Sequence, residues 1–224
     1  MFSSNVMEDI VIIGSGGLAT EVKYLIDAIN REKLRWNLLG FIDDWSEKKE
    51  GDEIIDPFKI IGTTEYLNTS KKEIYAIIAL SLPHHIKEVT EIINNPLIKF
   101  ANLIHPSVEF NNPKHIGQGN IITFGSFISC NVSIGDFNFF NTMCAIGHDT
   151  CIGSFNVFNP RTQISGSVCI GNSNFWGMNS SIIQGKKVGN NNKIGACSFV
   201  MRNVKDNESL FGIPAAKIRL PKQQ

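Results

Sequence analysis

The sequence lacks several features that would assign it to a common protein class. Its five cysteines include no C-x-x-C pair, and an odd number in 224 residues argues against a disulfide framework or a zinc site. No apolar run approaches the ~18 residues of a membrane-spanning helix, and the first residues carry no basic segment typical of a secretory signal. The hydrophobic fraction, 42%, is still that of a folded protein. These features predict a cytoplasmic globular protein with reduced thiols and no metal.

The first hundred residues alternate short apolar runs with helical patterns. The run Ile10–Ile13 ends at the glycine-rich segment Gly14–Gly17, and apolar residues then recur at helical spacing as far as Ile29. Two further apolar runs are Leu38–Ile42 and Ile74–Leu80, and a second helical pattern follows the latter. This order predicts a small parallel sheet with helices on its faces.

After residue 103 an apolar residue recurs at every sixth position, from Ile116 to Val200, at 15 positions without exception. Neither a helix nor an ordinary strand has a period of six. A coil of three short strands in 18 residues does, and such repeats are typical of a parallel β-helix. A β-sandwich would have uneven loops. We expect the apolar residue to point inward and the Gly, Asn or Ser after it to turn each corner.

Several motifs together resemble those of the bacterial hexapeptide-repeat sugar acetyltransferases. The motifs are Ile12–Gly17, Gly40–Asp44, Leu103–Pro106, Ile146–Asp149 and Gly212–Ala216. This family groups sialic acid O-acetyltransferase with UDP- or GDP-4-amino-sugar N-acetyltransferases. The resemblance implies an α/β Rossmann-like half domain over residues 1–103 and a left-handed parallel β-helix over residues 104–224. It also implies a homotrimer with active sites between subunits.

His148 is the one histidine of residues 116–224, and it should point outward because it lies two places after inward Ile146. A neutral imidazole can take the proton from an amine or hydroxyl that attacks a thioester. The resemblance implies that His148 is this general base, that Asp149 supports it, and that attack on acetyl-CoA is direct. Gly166, one 18-residue coil later, would leave space beside the imidazole, and its N–H is a candidate oxyanion donor. Asn141 is a candidate for orienting the substrate. A surface histidine without a catalytic role is the alternative.

Acetyl-CoA is the implied acetyl donor. The resemblance places Met178 and Ala196 against its pantetheine arm, and it places Val157 where the family often has a histidine that contacts CoA. The net charge is zero, yet residues 1–102 carry 16 acidic and 11 basic side chains, whereas residues 103–224 carry 5 and 10. Eight of these ten basic residues lie from Lys186 onward. They would attract the CoA phosphates, or they only keep the surface soluble.

The segment Gly14-x-Gly16-x-x-Ala19 lies between a predicted strand and a predicted helix, as in dinucleotide-binding proteins, and Asp43 follows the next strand. NAD would be a fair interpretation of this motif alone. A full dinucleotide site, however, needs two βαβαβ halves, and about 100 residues supply one. The resemblance implies a nucleotide-sugar acceptor instead. The residues implied to contact it are Gly16, Gly17, Leu18, Asp43, Asp44 and Ser81.

Together these features predict an acetyl-CoA-dependent N-acetyltransferase that acts on a nucleotide-linked 4-amino-4,6-dideoxyhexose. The sequence does not determine the attacking atom, so O-acetylation of sialic acid or a related sugar stays open. A non-catalytic nucleotide-binding scaffold is a lower alternative. A zinc hydratase on the same scaffold would need several histidines. We predict no metal, nucleic acid or membrane as a partner, and the resemblance implies a role in surface glycan biosynthesis.

Overall fold

The structure is a computed structural model, and it describes residues 7–111 and 113–218. The described residues divide into two compact units. The first comprises the chain up to Ser81 together with His85–Pro106, and the second comprises Leu82–His84 and the chain from Ser107 onward. The sequence predicted a boundary after residue 103, close to where the first unit ends.

The first unit is built on a sheet with the strand order β3-β4-β2-β1-β5-β6, in which only β3 runs antiparallel to its neighbour among the described residues. The strands are β1 (Glu8–Ile13), β2 (Trp36–Ile42), β3 (Glu53–Ile55), β4 (Phe58–Gly62), β5 (Ile74–Ile78) and β6 (Ile98–Phe100), and β7 (Leu103–Ile104) follows in the chain. The helices are α1 (Gly17–Glu32), α2 (Thr64–Asn68) and α3 (Pro83–Ile92). None of these described helices has the length and apolar character of a membrane span.

The central strand β1 places the loops that form a possible binding site. Its residues Ile10–Ile13 are fully buried between β2 on one side and β5 on the other. The chain leaves β1 towards β2 and later returns to the opposite side of β1 as β5. Ligands of open α/β sheets bind at such a switch point, outside the carboxyl ends of the strands. The loops after β1, β2 and β5 therefore mark the expected site.

The segment between Asp44 and Ile74, where the sequence patterns predict no strand or helix, contains β3, β4 and α2. These elements have three, five and five residues, which is too short for a periodic pattern to show. Strand β4 pairs parallel with β2 and its Ile60 is buried, so the segment extends the sheet.

The second unit is a parallel β-helix made almost entirely of two-residue strands. They are β8 (Glu109–Phe110), β9 (His115–Ile116), β10 (Ile121–Ile122), β11 (Phe127–Ile128), β12 (Ser133–Ile134), β13 (Phe139–Phe140), β14 (Ala145–Ile146), β15 (Cys151–Ile152), β16 (Val157–Phe158), β17 (Gln163–Ile164), β18 (Cys169–Ile170), β19 (Phe175–Trp176), β20 (Ser181–Ile182), β21 (Lys187–Val188), β22 (Lys193–Ile194), β23 (Phe199–Val200), β24 (Ser209–Phe211) and β25 (Ala216–Lys217). From β8 to β20 each strand pairs in parallel with the strand that begins 18 residues later, so the strands form three faces. The predicted fold class, an α/β unit followed by a parallel β-helix, is confirmed.

The period of six residues describes the interior of the β-helix. The apolar residue of each hexad from Ile122 to Val200 is at most 4% exposed. Phe140, Phe158 and Trp176 stack in successive coils, with ring centroids 4.7 Å and 6.0 Å apart. The residue four places later in the hexad is also buried, except at Lys186, and is mostly Asn, Ser or Thr.

Five of these buried polar residues form a ladder along one corner. Its members are Asn120, Asn138, Asn156, Asn174 and Asn192. From Asn138 onward, each backbone N–H donates to the amide oxygen one coil earlier, at 2.9 Å. Apart from Nδ2 of Asn192, the ladder satisfies buried backbone and side-chain groups together, as a β-helix interior requires.

The glycines that follow inward residues do not turn the corners as the sequence suggested. The left-handed backbone conformation instead falls three places after the inward residue, where φ is near +60° at residues such as Met143, Asp149 and Phe155. The glycines are needed for close approach: a Cβ on Gly147 would lie 2.5 Å from the backbone nitrogen of Gly166 in the next coil. This explains why glycine is frequent at the position after the inward residue while diverse side chains occupy the corner.

Candidate active site

His148 and Asp149 lie side by side at the corner between β14 and β15. The Nδ1 atom of His148 donates a hydrogen bond to Oδ2 of Asp149 at 2.7 Å, and both side chains are about half exposed. Neighbouring coils fix the backbone, because the N–H of Asp149 donates to the carbonyl of Cys130 and the N–H of Ser167 donates to the carbonyl of His148. The imidazole therefore points outward, as predicted from the period.

This contact decides which nitrogen of His148 can act as a base. An ionised carboxylate can only accept hydrogen bonds, so Nδ1 carries the proton and Nε2 of the neutral ring has a free lone pair. Hydrogen bonds from His148 and then from Asn131 hold the pKa of Asp149 below its ordinary value, which keeps this carboxylate ionised. The pair thus presents an oriented proton acceptor to solvent.

Gly166 lies next to the imidazole in the following coil. A Cβ on Gly166 would lie only 2.6 Å from Nε2 of His148, so glycine leaves room for the ring. Within the described residues the N–H of Gly166 has no acceptor, which leaves it available as a donor. Its role as an oxyanion donor stays a prediction.

The structure does not bring Asn141 to His148 within the chain. Asn141 follows β13, at the corner before β14, whereas His148 follows β14. The amide oxygen of Asn141 accepts hydrogen bonds from the N–H and hydroxyl of Thr142, at 2.7 and 3.2 Å. Its proposed role in orienting the substrate stays a prediction.

The three predicted CoA contacts differ in accessibility. Met178 and Ala196 are exposed at one corner in successive coils, where the N–H of Cys197 donates to the carbonyl of Met178. Val157, in contrast, is fully buried in β16. The side chain of Val157 is therefore not exposed on this surface within the chain, and the CoA contacts at Val157, Met178 and Ala196 stay predictions.

The basic residues of the second unit do not form one free cluster. Arg202 and Lys217 lie 3.3 Å and 3.5 Å from the two carboxylate oxygens of Glu208, so both are engaged locally. Lys187 and Lys193 are exposed on β21 and β22. Two other basic residues of the predicted set, at positions 219 and 222, lie outside the described residues. The attraction of CoA phosphates stays a prediction.

The first unit has a cavity of about 410 Å³ at the carboxyl ends of its strands. It is lined by the loops after β1, β2 and β5 and by one face of α3, where the switch-point rule places a ligand. The lining residues are Gly14, Ser15, Gly16, Asp43, Trp45, Ser46, Lys48, Leu80, His85 and Glu88.

Asp43 joins two of the loops that line the cavity. The hydroxyl of Ser15 donates to Oδ2 of Asp43, and the N–H groups of Trp45 and Ser46 donate to Oδ1 at 2.8 and 2.9 Å. Burial alone would raise the pKa of Asp43, but these hydrogen bonds outweigh it and the pKa lies below its ordinary value. A carboxylate has about four acceptor positions. The Ser46 hydroxyl also acts on this carboxylate, so Asp43 keeps at most one acceptor position for a ligand.

Asp44 has a partly structural role as well. Its two oxygens accept hydrogen bonds from the N–H and the hydroxyl of Thr64, at 2.9 and 3.0 Å, at the start of α2. Two acceptor positions remain, and the residue is exposed. A nucleoside contact through Asp44 stays a prediction.

The other predicted acceptor contacts lie in the same unit. Gly16 is the N-cap of α1 without a side-chain cap, and Gly17 and Leu18 begin the helix. A Cβ on Gly16 or Gly17 would meet nothing within 4 Å, so space lies beside this turn. Gly16 lines the cavity, whereas Gly17, Leu18 and Ser81 do not.

The sequence analysis did not predict several residues that line the cavity. Lys48 donates from Nζ to the carbonyl of Ser15 at 2.8 Å and so places a cation over the glycine-rich loop. Trp45 is 49% exposed at the same loop, and His85 and Glu88 lie one turn apart on α3. The sequence could have indicated these residues, because they follow the ends of the predicted strands β2 and β5. Within the described residues, no three His, Cys, Asp or Glu side chains cluster as metal ligands would.

Comparisons with known proteins agree with this architecture. Residues 9–93 match the family model of the PglD N-terminal domain. Among solved structures, the acetyltransferase domain of PglB from Neisseria gonorrhoeae is 24% identical with a TM-score of 0.84, over 94% of this chain and all of that one. PerB from Caulobacter crescentus is 22% identical with a TM-score of 0.83, over 97% of this chain and all of that one.

WeeI from Acinetobacter baumannii is 18% identical with a TM-score of 0.82, over 95% of this chain and all of that one. The search of curated proteins gives no significant match. The resemblance predicted from the sequence is therefore confirmed at the level of the fold: the chain has the fold of the PglB acetyltransferase domain, PerB and WeeI, and residues 9–93 match the PglD N-terminal domain.

Proposed function

We propose that this protein is an acetyl-CoA-dependent N-acetyltransferase that acts on a nucleotide-linked amino sugar of the 4-amino-4,6-dideoxyhexose type. The observation that carries the proposal is the His148–Asp149 pair at an exposed corner, in which the contact of Nδ1 with the carboxylate leaves Nε2 as the nitrogen that can accept a proton. Solved structures of the same fold support the choice of ligands. The PglB domain has been solved with acetyl coenzyme A, and PerB with CoA and GDP-perosamine.

The proposed reaction is one direct acyl transfer. The amine of the acceptor sugar attacks the thioester carbonyl of acetyl-CoA, and Nε2 of His148 takes the amine proton as the N–C bond forms. The C–S bond then breaks, and the CoA thiolate leaves and receives a proton. Asp149 stabilises the imidazolium that forms in between, and the N–H of Gly166 donates to the oxyanion.

The cavity of the first unit is the proposed site for the nucleotide part of the acceptor. Backbone N–H groups at the start of α1, beside Gly16 and Gly17, favour an anionic group there. The remaining acceptor positions of Asp43 and Asp44 suit hydroxyl or base N–H donors. The switch-point location supports this assignment without requiring NAD.

The acetyl donor is proposed to lie along the corner that exposes Met178 and Ala196. We further propose that three copies of the chain assemble with active sites between them, in the cytoplasm. Size-exclusion chromatography with light scattering would measure the assembly. A monomer that retains full activity would contradict this part of the proposal.

The proposal is tested by incubating the protein with acetyl-CoA and a panel of UDP-, GDP- and dTDP-linked 4-amino sugars, with free sialic acid as a further acceptor. Release of the CoA thiol is followed with a thiol reagent. We expect His148→Ala to lower kcat by about 10²- to 10⁴-fold, because general-base catalysis contributes that much. His115→Ala, which removes an exposed histidine of β9, is the matched control and should leave kcat unchanged.

Three results would overturn the proposal. Equal release of CoA by the wild type and by His148→Ala would exclude the general base. Turnover of sialic acid alone would assign O-acetylation. Tight binding of NADH without binding of acetyl-CoA would favour a different class of protein.

A further inference from the structure

One corner of the β-helix stacks Asn131 directly beneath Asp149. The two residues lie one coil apart, and both have a left-handed backbone, with φ of 58° and 56°. The amide nitrogen Nδ2 of Asn131 donates to Oδ1 of Asp149 at 3.0 Å. The other oxygen of Asp149 accepts from Nδ1 of His148 at 2.7 Å. The carboxylate is therefore held from both sides.

We propose that Asn131 is a positioning residue, which fixes the carboxylate of Asp149 so that Oδ2 stays on Nδ1 of His148. This inference rests on the proposed function, in which His148 is the general base. Because both side chains of the pair are about half exposed, little packing restrains the carboxylate. A second hydrogen bond restricts rotation of the carboxylate and keeps Nε2 as the free nitrogen of the ring.

The fold itself does not require an asparagine side chain at position 131. Phe137, Met143 and Arg161 occupy the equivalent left-handed position of other hexads. Asn191 also has this conformation, with φ of 57°, but its side chain makes no hydrogen bond within the described residues. The hydrogen bond of Asn131 is thus a feature of this corner and not of the β-helix in general.

The electrostatic surroundings of Asp149 also fit a neutral donor. The charged or titratable groups that act on Asp149 are His148 beside it and Lys114 from an earlier coil. Asn131 supplies a directed N–H without adding a charge. A carboxylate in its place would repel Asp149, so Asn131→Asp should lower activity more than Asn131→Gly does.

The test is a double-mutant cycle of Asn131→Gly and Asp149→Gly, measured as kcat on the best acceptor of the panel. Glycine keeps the left-handed backbone without strain. We expect Asn131→Gly to lower kcat by roughly 3- to 10-fold, the effect of one ordinary hydrogen bond, because the site is exposed, with KM for acetyl-CoA unchanged. In the Asp149→Gly background the same change should have no further effect. Asn191→Gly is the control and should behave as the wild type.

A crystal structure of Asn131→Gly gives a readout that does not depend on the acceptor. We expect the carboxylate of Asp149 to leave Nδ1 of His148 in this variant and to stay in Asn191→Gly. Wild-type kcat in Asn131→Gly, additive effects in the cycle, or an intact contact in the crystal would each overturn the inference. If His148→Ala is inactive while Asn131→Gly is normal, only this inference fails. If His148→Ala is fully active, the proposed function fails.

Discussion

The substitution Gly166→Ala tests the site with the smallest possible change. A Cβ at position 166 would lie 2.6 Å from Nε2 of His148 and 2.8 Å from Cε1, whereas ordinary contacts begin at about 3.4 Å. The imidazole must therefore move by about 0.8 Å, the difference between these distances. The ring is half exposed, so it can move towards solvent without disturbing the interior. The change displaces the base and leaves the fold intact.

A displacement of about 1 Å at a reacting group lowers the rate by about 10²-fold, which corresponds to about 2.7 kcal/mol. We expect kcat of Gly166→Ala, followed as release of the CoA thiol, to fall by this factor. The melting temperature should stay within a few degrees, because φ at Gly166 is not positive and equivalent positions carry Met178 or Ala196.

Gly153→Ala is the matched control for this prediction. A Cβ there would lie 2.8 Å from the backbone oxygen of Gly171, and backbone cannot swing aside. This variant should lose about 1–3 kcal/mol of stability through overpacking, with a correspondingly lower melting temperature. The reasoning would be refuted if Gly166→Ala kept kcat within about twofold of the wild type, or if both variants lost stability equally.

Two further predictions concern stability. Asn156→Ala removes the partners of the Gly171 carbonyl and of two Asn174 donors, so we expect about 3–5 kcal/mol of destabilisation in urea. Asn190 is half-buried, so Asn190→Ala should lower the free energy of unfolding by less than about 1 kcal/mol. Equal losses in the two variants would contradict the stabilising role of the asparagine ladder. Folding lowers the pKa of Asp43, so the ionised carboxylate stabilises the folded protein. This stabilisation is complete above the pKa of the unfolded chain, about 3.9, and it is lost as the pH falls through the lower pKa of the folded protein. Asp43→Asn should therefore flatten the fall in melting temperature below about pH 4, and an unchanged profile would contradict this.

The β-helix could be predicted because its repeat is local. Each inward residue recurs six positions after the last, and no insertion interrupts the series from Ile116 to Val200. The same six-residue repeat predicted that His148 points outward and that Gly166 leaves space beside it. The spacing of 18 residues between Asn131 and Asp149 was equally visible in the sequence. An asparagine at a corner does not indicate by itself which group it hydrogen-bonds, so this contact could not be predicted.

The cavity of the first unit could be predicted only in part, because long-range contacts decide its lining. The glycine-rich loop and Asp43 were visible as a motif. The hydrogen bond between Ser15 and Asp43 spans 28 residues, and the approach of Lys48 to the carbonyl of Ser15 spans 33. No local pattern reports that Asp43 is already engaged, so its availability to a ligand could not be judged from the sequence.

The hexad also explains why the candidate base and its partner are adjacent in the chain. In a regular strand neighbouring side chains point to opposite faces, so adjacent residues cannot share a hydrogen bond across their tips. The left-handed conformation of Asp149 breaks this alternation and brings its carboxylate to Nδ1 of His148. Of the six positions, the inward residue and the one four places later are buried, and the one after the inward residue often lies against the next coil. The residues two and three places after the inward one are mostly at least partly exposed, and the latter has the left-handed backbone, so a His–Asp pair fits at these two positions.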